Sequence, residues 1–220
     1  MPAPGVRFAH VAFDLDGTLI DSRHDLASSV NHVLRTMKLA ELDPETLYGY
    51  VGEGARVLVE RALGPSRRAR FDEGVALFME YYGEHLLDAT RPYPGMVELL
   101  DALAERGVAL SVLTNKPIAL SRTILDGLGL TARFVGIVGG DSLPTRKPDP
   151  AGLDELRRLT DTPRERTLLV GDSGIDVATA RAGGVAFCGV SWGLSPGALL
   201  AAAPERVVDD ASEILALVAG

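Results

Sequence analysis

Short apolar runs recur along this chain at Phe8–Phe13, Val108–Leu113, Phe134–Val138, Thr167–Val170 and Val185–Val190. Several are nearly continuous in apolar residues instead of alternating with polar ones. A strand with one solvated face alternates, so an unbroken run calls for cover on both faces, as in a parallel sheet. Helical patterns fill the intervals. Met96–Arg106 puts Val97, Leu100 and Ala104 on one face and is followed by Gly107, a residue suited to the position just past a helix. Ile118–Leu128 follows Pro117 and precedes Gly129, and Ile175–Ala182 runs into Gly183-Gly184. Repeated strand–helix–strand order predicts an α/β fold: a doubly wound, mostly parallel, Rossmann-like sheet.

The stretch from Asp21 to Arg91 breaks this rhythm and carries no strand pattern. Ser22-Arg23-His24-Asp25 has the form of a capping box, and Leu26, Val30, Val33, Leu34 and Met37 follow at helical spacing. Asp43-Pro44-Glu45 opens a second helix. Arg56–Leu63 is a third, stopped by Gly64-Pro65, and Arg68–Leu87 is the longest. The expected organisation is an α/β core of residues 1–20 and 92–220 with an all-helical cap, 21–91, inserted after the first strand. Linkers near Asp21 and at Pro92-Tyr93-Pro94 join the two.

The bulk numbers exclude several functions. A net charge of −8 and a pI near 5.0 argue against nonspecific nucleic-acid binding, which needs a basic face. A small anionic substrate stays compatible, because a metal and one lysine can reverse the field inside a cleft. Cys188 is the one cysteine, so no disulfide forms within the chain, and its apolar setting predicts a buried, inert thiol. No apolar run approaches the ~20 residues of a membrane span. The expectation is a cytoplasmic protein, monomer or homodimer, with no membrane or nucleic-acid partner.

The chemistry gathers at predicted strand ends. Asp14-Leu15-Asp16-Gly17-Thr18 follows the first run and offers two carboxylates and a flexible glycine. One carboxylate can attack a phosphorus while the other moves a proton. Asp14 is ionised at neutral pH without help, since an aspartate has a pKa near ~4. It is repelled by a phosphate dianion, by roughly 4 kcal/mol for two unit charges about 4 Å apart at intermediate dielectric. Countercharge is therefore needed. Thr114-Asn115 ends the second run, Lys147 lies in a proline-rich loop, and Gly171-Asp172-Ser173-Gly174-Ile175-Asp176 ends a later run. In an open parallel sheet all these ends face one crevice. Taken singly, each has a plainer reading: an Asx turn, an N-cap, or a solvated lysine.

Together these four segments resemble the haloacid dehalogenase superfamily, specifically its phosphatases. Thr114-Asn115-Lys116-Pro117, Val51-Gly52-Glu53-Gly54-Ala55 and Pro204-Glu205-Arg206-Val207 are similar to segments of the phosphoglycolate phosphatases. The resemblance implies Mg²⁺-dependent hydrolysis of a small phosphate monoester, with phosphoglycolate the leading candidate, through a phospho-aspartyl intermediate. It assigns Asp14 as nucleophile and Asp16 as general acid/base. Thr114, Asn115 and Lys147 would bind phosphate. Asp14, the Asp16 main-chain carbonyl and Asp172 would hold Mg²⁺, with Asp176 binding it directly or supporting the others. Asp16, Asp172 and Asp176 disfavour dehalogenation, which uses neither that second carboxylate nor a metal. In the cap, Glu53 and Arg56 are weak candidates for contact with the non-phosphate part of the substrate, and Arg56 also fits a solvated helical arginine. Lys116 and Arg146 are expected to be peripheral. His10, His24, His32, His85 and Trp192 show no ligand spacing. A pyrophosphatase or a sugar-phosphate phosphomutase of the same superfamily remains an alternative, as does a non-catalytic phosphate-binding regulator.

Overall fold

The protein is described by a computed structural model over residues 5–220. Strand β1 (His10–Phe13) is followed by a two-residue strand, β2 (Ile20–Asp21), and then by helices α1 (Arg23–Thr36), α2 (Pro44–Tyr48), α3 (Ala55–Leu63) and α4 (Phe71–Glu84). A second two-residue strand, β3 (Arg91–Pro92), returns the chain to regular alternation. That alternation runs α5 (Met96–Glu105), β4 (Ala109–Leu113), α6 (Ile118–Gly127), β5 (Gly136–Val138), α7 (Ala151–Leu159) and β6 (Thr167–Gly171). It ends with α8 (Gly174–Gly183), β7 (Ala186–Val190), α9 (Pro196–Ala201), β8 (Val207–Val208) and α10 (Ala211–Ala219).

β1 pairs in parallel with β4 on one side and β6 on the other. The full sheet is ordered β5-β4-β1-β6-β7-β8 with every pairing parallel. Numbered among themselves these strands read 3-2-1-4-5-6, the order of a Rossmann-type sheet. The winding reverses at β1, so a crevice opens at the carboxyl ends of β1, β4 and β6. The apolar runs explain the burial: β1 and β6 are buried at every residue. The doubly wound α/β fold with an inserted helical cap is therefore the observed architecture.

Several details differ from the sequence reading. The run at Phe134–Val138 forms a strand only over β5, after a 3-10 turn at Thr131–Arg133, and β5 is an edge of the sheet. The helix expected over Arg68–Leu87 is a 3-10 segment, Pro65–Arg70, followed by α4. Non-helical backbone at Arg67 (φ −111°, ψ 22°) separates the two. Ser22 and Asp25 form no capping box, because tertiary partners claim both side chains. Ser22 donates to Asp16 Oδ1 at 2.5 Å. The Asp25 carboxylate accepts from the N–H groups of Ala89 and Thr90 and, at 2.7 Å, from the Thr90 hydroxyl.

That carboxylate braces the neck between cap and core. β2 and β3 pair antiparallel there, Ile20 with Pro92 and Asp21 with Arg91. Asp25, one turn into α1, thus grips the chain just before β3. Cys188 is buried and free, and burial pushes its thiol up to about 12. His10 lies at the far end of β1, hydrogen-bonded through Nε2 to the Ser111 hydroxyl at 2.7 Å. Burial, with Arg157 nearby, holds its imidazole down to about 4. No helix among the described residues is long and apolar enough to cross a membrane.

Candidate active site

The turn after β1 builds the floor of the crevice. Asp14 N–H donates to the Val170 carbonyl at 2.9 Å, which carries the β1–β6 ladder one step further and fixes the side chain beyond it. Asp14 Oδ1 accepts from Leu15 N–H at 2.7 Å and lies 2.8 Å from Lys147 Nζ. Oδ2 takes no hydrogen bond among the described residues and is left for other work. The Leu15 carbonyl collects the N–H groups of Thr18, Leu19 and Ile20, and the Asp16 carbonyl stays outside that network. Gly17 completes the turn at φ +83°, where a side chain is strained. A Cβ there would also fall 2.3 Å from Asp172 Oδ2.

β6 delivers the remaining acids. Asp172 Oδ2 accepts from Leu194 N–H at 2.7 Å. Asp176 sits in the first turn of α8 in a capping box with Ser173, accepting through Oδ2 from that residue's N–H and hydroxyl. Its Oδ1 lies 2.6 Å from Lys147 Nζ. Lys147, 4 % exposed, thus bridges Asp14 and Asp176. Carboxylate oxygens of Asp14, Asp172 and Asp176 lie within 4.8 Å of one another.

Crowding three buried acids against one ammonium has an electrostatic consequence. Burial first, then Asp176 and Asp14, pushes the Asp172 carboxyl up to about 8. Burial likewise raises Asp14, against the pull of Lys147. Desolvation works against the Lys147 charge, but Asp14 and Asp176 outweigh it and hold the ammonium above its ordinary range. Three buried carboxylates gathered against a single ammonium leave the site short of positive charge. A hard divalent cation supplies that charge, and Mg²⁺ favours such an all-oxygen donor set with few carboxylates. The residues present therefore fit a hard divalent cation.

β4 supplies the other wall. Thr114 is buried, and its Oγ1 accepts from Lys116 N–H at 3.2 Å. Asn115 Nδ2 donates to the carbonyls of Gly52 in the cap and Lys147 in the core, each at 3.1 Å. Its amide therefore ties cap to core, and no side-chain donor is left over for phosphate. Gly54 (φ +94°) allows the cap loop to approach: a Cβ there would stand 3.1 Å from the Asn115 carbonyl.

Glu53 and Arg56 are not drawn to this centre. Glu53 pairs with Arg61, and Arg56 pairs with Glu60 at 3.0 Å and Asp72 at 2.6 Å. These are exposed ion pairs within the cap, because each side chain finds an opposite charge on its own helical layer. A partly enclosed chamber above Asp14 and Asp16 is lined from the cap by Leu26, Val51, Ala55, Leu58, Phe78 and Tyr82 instead. The space inside it is about 40 Å³.

The haloacid dehalogenase-like hydrolase family model matches residues 11–190. This chain belongs to that family. Phosphoglycolate phosphatase of Rhodospirillum rubrum is 41 % identical to this hydrolase over 208 residues, covering 91 % of this chain and 86 % of its own. Phosphoglycolate phosphatase of Mesorhizobium japonicum is 40 % identical over 187 residues, covering 83 % and 82 % respectively. The crystal structure of a predicted phosphoglycolate phosphatase from Haemophilus somnus superposes with a TM-score of 0.90 at 34 % identity. That comparison covers 96 % of this chain and 98 % of the other.

Sequence reasoning placed Lys116 at the periphery of this hydrolase, and the structure overturns that. Its ammonium lies 2.7 and 2.8 Å from the two Asp16 oxygens, the residue is 6 % exposed, and Tyr82 covers it. Ser22 and Tyr82 were missed as well. The available signal was Lys116's place inside the Thr-Asn-Lys-Pro segment itself. For Tyr82 it was the Phe78/Tyr82 spacing on one face of α4.

Proposed function

We propose that this chain is a Mg²⁺-dependent phosphomonoesterase of small soluble phosphate esters, with phosphoglycolate the leading substrate. The convergence of Asp14, Asp172 and Asp176 within 4.8 Å around Lys147 carries this reading. The names of its relatives support the choice of ester. The division into a core of 1–20 and 92–220 and a cap of 21–91, and a cytoplasmic location acting on a diffusible metabolite, belong to the same reading.

In this scheme Asp14 Oδ2, free of hydrogen bonds, attacks phosphorus as the ester P–O bond breaks on the opposite side. Asp16 gives the departing alkoxide its proton and so ends the step as a carboxylate. It then takes a proton from a water molecule, whose oxygen attacks the phospho-aspartyl group and releases phosphate and Asp14. Lys147 holds Asp14 in place and faces the transferring oxygens, and the Thr114 hydroxyl donates to one of them. Asn115 contributes by keeping the Lys147 loop and the cap loop together. Asp14, the Asp16 carbonyl and Asp172 would hold Mg²⁺, which when bound supplies charge neutralisation for the phosphoryl group. Asp176, saturated by Lys147 and Ser173, supports them from behind. In this reading, closure of the cap over bound substrate excludes bulk water during the first transfer.

The test is phosphate release from phosphoglycolate with Mg²⁺ by the purified protein and by Asp14→Asn. Loss of a covalent nucleophile is expected to lower turnover by about 10³-fold or more. An Asp14→Asn protein that folds and keeps a few per cent of turnover would falsify the assignment.

A further inference from the structure

Two polar groups where cap and core meet in the chamber have no role in the scheme above. Tyr82 is 1 % exposed and lines the chamber, and although its hydroxyl oxygen lies beside the Lys116 ammonium, no acceptor among the described residues takes its proton. A buried hydroxyl without an acceptor is unfavourable, so such an atom marks a place where a polar group is missing. Beside it the Lys116 ammonium lies 4.9 Å from the centre of the Tyr82 ring. Lys116 is the one cation among the described residues that line this chamber. The chamber's other unpartnered atom, Asn115 Oδ1, is an acceptor and does not serve an anion.

We propose that the Lys116 ammonium and the Tyr82 hydroxyl form the subsite for the leaving group, and that they select a phosphate ester whose alcohol part is about two carbons long and ends in a carboxylate. This rests on the reading of Asp14 and Asp16 as the reaction centre and adds the residues that choose the ester. Three observations carry it. The donors match the ligand: the hydroxyl gives one hydrogen bond to a carboxylate oxygen, and the ammonium gives charge and a second. The walls reject the competitors: Val51, Ala55, Leu58 and Phe78 offer nothing to the hydroxyls of a sugar. The size is in keeping: the free space is small, about 40 Å³, which favours a short alcohol part over a long one. Glu53, whose charge would repel a carboxylate, stays outside, paired with Arg61. Because Lys116 already spans both Asp16 oxygens, it joins recognition of the leaving group to the residue that protonates it.

The experiment compares the full chain with its Tyr82→Phe variant, in Mg²⁺, on phosphoglycolate, on ethyl phosphate (the same two carbons, no carboxylate) and on pyrophosphate. Tyr82→Phe is expected to lower the ratio of kcat/KM for phosphoglycolate over ethyl phosphate by about tenfold, the loss of one charge-assisted hydrogen bond. Equal losses on the two esters overturn the subsite. A loss on pyrophosphate as large as that on phosphoglycolate overturns the choice of carboxylate over phosphate. A second readout needs no turnover: calorimetric titration of phosphoglycolate into Asp14→Asn, with and without Tyr82→Phe. A Kd weakened by about tenfold supports the subsite, and an unchanged Kd refutes it. Should the wild type release phosphate from none of the three, the phosphatase reading fails, while the titration still decides the subsite.

Discussion

Gly17 and Asp172 leave no room for a methyl group between them: a Cβ on Gly17 would sit 2.3 Å from Asp172 Oδ2. The glycine at φ +83° is the means by which the turn after β1 reaches an acid 155 positions later in the chain. Gly17→Ala is expected to displace Asp172, lowering kcat/KM by about 10²-fold with backbone strain of roughly 1–3 kcal/mol. Steady-state kinetics beside urea denaturation measures both. A fully active Gly17→Ala protein would show that Asp172 need not stay where it is.

Metal-free stability should depend on pH in an unusual direction. In the unfolded chain Asp14 and Asp172 release their protons near pH ~4. In the fold burial keeps both protonated further up, Asp172 to about 8. Between those values the folded state binds more protons than the unfolded one, so this contribution is complete at the acid end and disappears as pH rises through the folded values. With chelator present, Tm is expected to fall from about pH 5.5 to about pH 8.5 more steeply in the wild type than in Asp172→Asn. Added Mg²⁺ displaces the same protons, so its stabilising effect should grow over that range. Equal pH slopes in the two proteins contradict the assignment.

The neck offers a stability test away from the chemistry. Asp25 accepts from two main-chain N–H groups and one hydroxyl, all of them at the Ala89-Thr90 step. Asp25→Ala leaves those donors unpaired, the two on Thr90 buried, and is expected to destabilise by about 3 kcal/mol, with Asp25→Asn losing less. Chemical denaturation of both variants checks the size and the order. A neutral Asp25→Ala would mean that water reaches the neck.

The exposed cap charges should be quiet. Glu53→Gln and Arg56→Ala remove ion pairs that lie on the cap surface, outside the chamber. Each is expected to keep kcat/KM within about twofold of the wild type. A larger loss on the carboxylate-bearing ester alone would bring these residues back into substrate recognition.

What was legible in the sequence followed from periodicity and position along a strand. Unbroken apolar runs announced β1 and β6, and the acids and lysine placed at strand ends are the ones that meet around Lys147. What was not legible depended on partners distant in the chain. Ser22 has the local form of an N-cap, but Asp16 outcompetes the helix for its hydroxyl. Lys116 looks like any lysine after a strand until the cap's Tyr82 closes over it. Asn115 carries the donors of a phosphate ligand, yet spends them on the Gly52 and Lys147 carbonyls. Glu53 and Arg56 stood in a plausible loop, but arginine and acid neighbours within the cap were nearer than the chamber.

The neck also bears on how such a molecule can change over generations. The cap is spliced into the core through β2 and β3, two residues each, braced by one aspartate. A helical cassette with the same ends could be exchanged there without disturbing the order of the sheet. Inheritance can then revise the lid while the hearth beneath it, with Lys116 paired to Asp16, stays lit.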